Sequence, residues 1–426
     1  MIVLYRLLSR LWPVLLALAA LFDAKTRGTR RWRREAGDPA PPKGEASPRV
    51  WVHAASAGEL EQARPLLAEI RRREPGAAIL LSLASVSARG PSARVEEADS
   101  VFPLPPDTPR AMGRLMDRLR PDRVLVVKWD LWPNLLLEAE RRGIPVFLLG
   151  AVLSPGSGRA RPPARWLYAP LHRRLAGLSA VSDEDAAAFA ELGLSSDRLS
   201  VDGDSRYDQV AARRDECRDH ALRNFEATRR GRLVAGSTWP PEEDALLEAF
   251  ARLRREHSPG LVLVPHELGE DRLRGIEAAA ARRGLDCGRL SAGAAPEAGR
   301  VLLADVKGQL AELYRAGDLA LVGGGFGAGV HSVLEPAAHG LPVLMGPRVE
   351  RAVEARRLVE SGGAWIFSNA AELEALWRRW LEDAVFREYA ARAAREAVES
   401  GRGAAARALD FVEKRLLSAD KPSAML

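Results

Sequence analysis

From Arg49 onwards, short apolar runs alternate with longer amphipathic stretches, and that alternation limits what the chain can fold into. The runs RVWVHAA (49–55), AAILLSLAS (77–85), RVLVVKW (123–129), IPVFLLGA (144–151) and LAGLSAVS (175–182) read as buried strands, with helical stretches such as Leu60 to Arg73 between them. Continuous apolar runs belong to parallel strands covered on both faces, so the pattern is βαβ. A second series begins near Gly231 with RLVAGST, GLVLVPHE, VLLAD, LALVGGG and LPVLMG, spaced by helices such as Glu242 to Arg255 and Glu270 to Arg283. Two doubly wound α/β domains in succession are expected, and 426 residues is too long for one core. In open sheets of this type ligands sit at the carboxyl ends of strands, so the site is expected in the cleft of two facing domains.

Ahead of these domains lies MIVLYRLLSRLWPVLLALAALF (1–22), about the length of a bilayer-crossing helix but interrupted by Arg6, Arg10 and Pro13. No small-residue cleavage site follows it, so an uncleaved anchor over residues 1–23 is the expectation. The net charge is +6, and six basic residues, Lys25, Arg27, Arg30, Arg31, Arg33 and Arg34, cluster just after the apolar stretch. Such a collar favours the cytoplasmic side and an anionic membrane surface, rather than nucleic acid, as the partner of the positive charge. A basic linker is expected over 24–48, a first domain over 49–208, and a second over 209–426 whose last helix returns to the first. The charged stretch Arg206 to Arg230 reads as the connector. The two cysteines, Cys217 and Cys287, have no Cys/His spacing around them, which favours a reduced compartment and argues against structural zinc. No oligomeric state is legible.

Several strand ends carry chemistry. In His53-Ala54-Ala55-Ser56-Ala57-Gly58-Glu59 a strand gives way through small residues to a helix, which places Glu59 in the first turn. A carboxylate there could take the proton of an acceptor hydroxyl in an inverting sugar transfer, or merely complement the helix dipole. Gly236-Ser237-Thr238-Trp239-Pro240 repeats that layout, and the Ser237 and Thr238 hydroxyls could hold a phosphate or simply cap the helix. The run from Gly323 to Gly329, with Gly324 and Gly325 at its centre, would let backbone approach a ligand closely. A helix expected from about Ser332 then brings Glu335 within reach of ribose hydroxyls; a bare glycine-rich turn is the plain alternative. The run is neither GxGxxG nor a P-loop. His266 could bind phosphate or cap a helix, and Trp129 and Trp132 could be core or acceptor contacts. Asp202-Gly203-Asp204 has the spacing of a metal-binding DxD, but it sits where the first domain ends, and metal there is not expected.

In chain order, HAASAGE (53–59), LWPN (131–134), GDSRYD (203–208), GSTWP (236–240), VPHE (264–267) and GGGFGAGVHSVLEPAAHGLPVLMGP (323–347) resemble the 3-deoxy-D-manno-octulosonic acid (Kdo) transferases of lipid A biosynthesis. The resemblance covers nearly the whole chain. It implies a GT-B fold, CMP-Kdo as donor, a lipid A precursor as acceptor, and no metal or cofactor. Glu59 would be the general base, with Asp130 and Arg206 also catalytic. Ser56, Gly58 and Trp132 would meet the acceptor. Ser237, Thr238, His266, Gly324, Gly325, His331, Ser332 and Glu335 would hold the donor. Three places depart from the commonest family pattern: Lys128-Trp129-Asp130 stands for a Glu-x-Glu run, Arg206 for a Lys, and VPHE for a longer Arg-His-Pro-Glu-Arg-like segment. Other readings of the same pattern are a sugar-nucleotide epimerase, a transferase with another nucleotide sugar, and a membrane-tethered nucleotide-sugar-binding protein without catalysis.

Overall fold

A computed structural model describes residues 1–40, 47–153, 157–216, 231–295, 297–350 and 352–419. Cys217, most of the expected connector and residues 41–46 of the expected linker lie outside the described residues. The chain forms two compact units, Met1–Gln209 together with the chain from Gly403 onwards, and Val210–Arg402 between them.

The first unit is built on a seven-stranded parallel sheet in the order β3-β2-β1-β4-β5-β6-β7. Its strands are β1 (Arg49–Ala54), β2 (Ala78–Leu83), β3 (Ser100–Pro103), β4 (Arg123–Val127), β5 (Val146–Ala151), β6 (Gly177–Ala180) and β7 (Leu199–Val201). Successive residues point to opposite faces, so Trp51, Leu80, Val124 and Leu148 join one core while Val50, Ile79, Leu125 and Phe147 join the other. The last helix, Ala404–Ala419, packs Ala405, Ala408, Leu409 and Val412 into that second core. Its Phe411 lies so close to Gly177 that a Cβ there would sit 2.8 Å from the ring.

The second unit has its own seven-stranded parallel sheet, β10-β11-β9-β8-β12-β13-β14. Its strands are β8 (Leu233–Thr238), β9 (Leu261–Pro265), β10 (Cys287–Arg289), β11 (Val301–Leu303), β12 (Leu319–Val322), β13 (Val343–Met345) and β14 (Ala364–Ile366). In each sheet the order reverses beside the first strand, between β1 and β4 and between β8 and β12, and a crevice at such a switch point is where open α/β sheets bind ligands.

At the N-terminus, α1 (Ile2–Leu8), one turn of 3₁₀ helix (Ser9–Leu11) and α2 (Trp12–Phe22) follow one another. Residues 24–36, expected as an open basic linker, instead form helix α3 (Ala24–Ala36), which Asp23 caps by accepting from Thr26 N–H at 2.6 Å. Arg31 and Glu35 support it one turn apart, and Trp32 and Thr29 are buried against the sheet unit, so the helix has a face to cover that the charge run conceals.

Candidate functional site

In the first unit the switch point is formed by the ends of β1 and β4. Helix α4 (Ala57–Arg73) starts with Ser56 as N-cap and Glu59 as its third residue. Glu59 folds back so that its Oε2 accepts from Ala55 N–H at 2.7 Å and from the Ser56 hydroxyl at 3.3 Å. Among the described residues its Oε1 has no partner. Burial and the nearby Asp130 carboxylate raise its pKa, partly offset by the Ala55 N–H, Lys128 and Ser56. Asp130 is raised too, by burial, with Arg159 opposing it 3.9 Å away.

A tight backbone places Asp130. Lys128 has φ +73°, and Trp129 N–H donates to Val127 O at 3.1 Å, which closes a three-residue turn around it. A lysine in this left-handed region is strained, and such strain collects where geometry is imposed by the site. The turn leaves Lys128 and Arg159 both against the Trp129 ring, at 5.0 and 4.8 Å from its centroid. Trp132 then begins the helix Pro133–Glu140 and donates its Nε1–H to His53 Nε2 at 3.1 Å, bridging β4 to β1. That bond makes Nδ1 of His53 the protonated nitrogen, which reaches Ser82 Oγ at 2.8 Å. Burial holds the His53 pKa down at about 4, so the ring is a neutral strut.

Ser56, Glu59, Asp130 and Trp132 line one cavity of about 480 Å³. Its other walls include Trp12 and Leu16 of α2 and Lys25, Thr26, Thr29 and Arg33 of α3, so the N-terminal helices are part of the site. Gly58 is exposed with open space around it. Arg206 does not line this cavity. Its Nε and Nη2 grip the buried Asp204, at 2.8 and 2.7 Å, and Asp204 also takes the Gln62 side-chain amide of α4 at 3.1 Å. Asp204 is thus spent on Arg206 and Gln62, and among the described residues no cluster of three metal-ligating side chains occurs.

In the second unit the ends of β8 and β12 meet in the same way. Ser237 has φ +54° at a bulge in β8, and Trp239 caps the helix Pro240–Leu253. Trp239 donates its Nε1–H to His331 Nε2 at 3.1 Å, and His266 stacks against both rings, with centroids 4.7 Å from Trp239 and 4.6 Å from His331. Burial lowers the His331 pKa, His266 adding to the effect and Glu242 opposing it. Thr238 donates its hydroxyl to Glu243 at 2.8 Å. Gly323, Gly324 and Gly325 are needed by the fold itself. A Cβ on Gly323 would sit 2.2 Å from Ser237 O, and one on Gly325 2.6 Å from Gly346 N, while Gly324 has φ +93°. The helix expected from Ser332 covers only Leu334–Ala338, because His331 N–H is pinned back to Gly323 O at 3.0 Å and keeps His331 and Ser332 in the loop. Glu335 pairs with Arg213 at 3.1 Å.

A family model for 3-deoxy-D-manno-octulosonic-acid transferase (kdotransferase) matches residues 30–209, which include Ser56, Glu59, Asp130 and Trp132. The 3-deoxy-D-manno-octulosonic acid transferase of Bordetella pertussis is 31% identical over 381 residues, covering 85% of this chain and 86% of the relative. The chain belongs to the Kdo transferase family. It is accordingly a glycosyltransferase. The Kdo transferase of Haemophilus influenzae is similar over 88% of both chains at 28% identity. Among solved structures, the UDP-GlcNAc 2-epimerase of Neisseria meningitidis superposes with a TM-score of 0.65 over 86% of this chain and all of that one, at 14% identity. An epimerase of Listeria monocytogenes gives 0.64 at 15%. These two share the GT-B-like pair of sheets with this Kdo transferase, and at such identity they speak to fold alone.

Two site residues escape sequence reasoning. Glu242, fully buried, accepts from Gly324 N–H at 2.9 Å, Phe326 N–H at 3.2 Å and Trp239 N–H at 3.2 Å, stapling the helix start to the glycine run. Its signal is its place as third residue after a Trp-Pro helix start, where a capping carboxylate belongs. His53 opens a motif already read for Glu59, but its bond to Trp132 spans 79 positions and leaves no local trace.

Proposed function

We propose that this Kdo transferase moves Kdo from CMP-Kdo onto a lipid A precursor, lipid IVA, with inversion and with Glu59 as general base. The observation that carries the reading is the half-engaged Glu59: one oxygen is fixed by the Ala55 N–H, the other opens into a cavity walled by the apolar N-terminal helix. The acceptor hydroxyl would donate its proton to Oε1 as its oxygen forms the new bond to the Kdo anomeric carbon. The bond from that carbon to the CMP phosphate oxygen breaks, and CMP leaves with the electron pair. A pKa raised by burial and by Asp130 brings the base nearer to the operating pH, where proton transfer is most efficient. Asp130 sets the electrostatics of the base, and Arg206 holds the end of the first unit to α4 through Asp204. In the second unit the Trp239, His266 and His331 rings offer flat faces to a cytosine ring, the imidazoles offer ring N–H donors to leaving-group phosphate, and Glu335 takes ribose hydroxyls once Arg213 yields. No metal enters the scheme.

The same reading places the protein at the cytoplasmic membrane with its catalytic units in the cytoplasm. The helical stretch Ile2–Phe22 is long and apolar enough to cross a bilayer. Yet Tyr5 donates to Asp107 at 3.0 Å, Arg6 pairs with Glu138 at 2.7 Å, and Ser9 accepts from Asn134 at 3.0 Å. Val3, Leu7, Leu11, Val14, Leu18 and Phe22 remain exposed on the other side. A helix held along one face and bare along the other suits the membrane interface, where an acyl acceptor is presented edge-on.

The test is turnover by full-length protein in detergent with CMP-Kdo and lipid IVA, following CMP release and lipid mass. Product gains of one or more Kdo units, lost in Glu59→Ala while cytidine nucleotide still binds, is the expected result. Full turnover in Glu59→Ala would remove the base assignment, and no turnover by the wild type would remove the acceptor.

A further inference from the structure

We propose that the arginine-lined cavity between α3 and the helix Pro109–Leu119 is a phosphomonoester subsite, which holds a phosphate carried by the same amphiphile whose hydroxyl reaches Glu59. This rests on the acceptor reading above. The cavity measures about 770 Å³, and Arg33, Arg34, Arg114 and Arg118 line it. It adjoins the Glu59 cavity, since Arg33, Pro105 and Pro106 line both. A volume of that order takes a phosphorylated sugar with room to spare.

Among the described residues the charges around this cavity do not balance. Arg33 is half-buried and donates its Nε–H to Leu104 O at 2.7 Å, yet no carboxylate among the described residues pairs with it, and burial lowers its pKa to about 10. Among the described residues Arg34 and Arg114 make no hydrogen bond or ion pair, and Arg118 binds only the Pro39 carbonyl. Of the two acids on the wall, Asp117 is already held by Arg142 at 2.8 Å, which leaves Asp38 at the rim. A cation partly withdrawn from water without a counter-ion is costly unless a ligand supplies the anion. Guanidinium forks match the oxygens of a phosphomonoester in geometry as well as charge.

The position gives the subsite its purpose. A ligand that spans the two cavities is fixed at two points, and the second point orients its hydroxyl toward Glu59 without touching the reacting atoms. Arg34 and Arg114 are therefore positioning residues. Both side chains are solvent-exposed, so their removal leaves the fold intact.

The experiment uses the full chain in detergent and compares Arg34→Ala/Arg114→Ala with the wild type. Acceptors are a phosphorylated glucosamine glycolipid and the same glycolipid after enzymatic dephosphorylation. The double variant is expected to raise KM for the phosphorylated acceptor roughly tenfold or more, with KM for the donor unchanged and no further loss on the dephosphorylated one. Equal loss on both acceptors would overturn the subsite. So would an unchanged KM accompanied by weaker sedimentation with phosphatidylglycerol vesicles, which would make the arginines a contact for bulk lipid headgroups. If the wild type does not turn over, binding is followed directly by ³¹P NMR with a soluble phosphorylated glucosamine disaccharide. Line broadening that the double variant abolishes supports the subsite independently of the acceptor reading, and no broadening in the wild type overturns it.

Discussion

Glu59 and Glu242 occupy the same place in the two units: each is the third residue of the helix that follows the first strand of its sheet, and each folds back onto backbone N–H groups. Their difference lies in what is left over. Both oxygens of Glu242 are filled, by Gly324, Phe326 and Trp239 N–H groups, and the side chain is fully buried. Glu59 spends Oε2 and keeps Oε1 toward a cavity. One position in a βαβ unit is thus filled with donors in one unit and, among the described residues, left with an unpartnered oxygen in the other, which is the difference the proposed base role of Glu59 requires. The Trp–His bridges repeat the lesson. Trp132, after β4, and His53, in β1, form a bridge with a fully buried imidazole, whereas Trp239, after β8, and His331, in the loop after β12, form a half-buried one with His266 stacked against both rings.

Exchanging each glutamate for glutamine should separate the two roles most sharply. Glu59→Gln is expected to lower kcat by ~100-fold or more, the usual worth of a positioned base, and to leave thermal unfolding almost unmoved. Glu242→Gln is expected to do the reverse: a loss of about 2 to 3 kcal/mol in the stability of the second unit, as three backbone N–H groups lose a buried charged acceptor, with partial turnover retained. Kinetics and thermal denaturation on both variants decide it, and equal effects on both would dissolve the distinction.

The histidine bridges come next in size. His53→Ala removes a buried ring with partners on both nitrogens and should cost about 2 kcal/mol or more. His331→Ala should leave stability nearly intact and weaken cytidine nucleotide binding by roughly tenfold. Titration supplies a further contrast. With a folded pKa of about 4 against an ordinary value near 6.5, His53 binds a proton more readily in the unfolded chain. Its contribution is therefore absent above pH ~6.5, and stability falls as the pH drops from there toward about 4. Urea unfolding across that window should show a slope that flattens in His53→Gln and persists in His331→Gln.

The strand runs read from sequence correspond to the central strands, and those missed are edges and short pieces. β10 and β14 have three residues each, with Gly288 and Arg289 in the one and an exposed Ile366 in the other. Half-covered edge strands need no continuous apolar run, so they leave none to find. The placement of residues beside a strand end within one motif was legible, as with Glu59, Trp132 and the glycine run. Long-range pairings were not. The wall that α2 and α3 give the Glu59 cavity, the His53 bridge and the Glu242 staple join positions far apart in the chain, and no local pattern encodes them. The charge run in α3 even pointed away from structure, since its arginines hide a buried face at Thr29 and Trp32.

The smallest expected effect concerns the two strained turns. Lys128 at φ +73° and Ser237 at φ +54° both stand at the carboxyl end of a strand ahead of a Trp-Pro helix start. Glycine at either place relieves steric strain while adding freedom to the unfolded chain, so Lys128→Gly and Ser237→Gly should each shift stability by no more than ~1 kcal/mol. Only Lys128→Gly should also reach the chemistry. The lysine charge lowers the Glu59 pKa, and its removal should raise that pKa further, moving the acidic limb of the kcat/KM profile to higher pH. Lys128→Asn tolerates the left-handed turn and also lacks the charge, so it should reproduce that displacement. A profile that moves for the glycine variant and stays in place for the asparagine one would assign the effect to the turn, and Lys128 would then act on the base through backbone position alone.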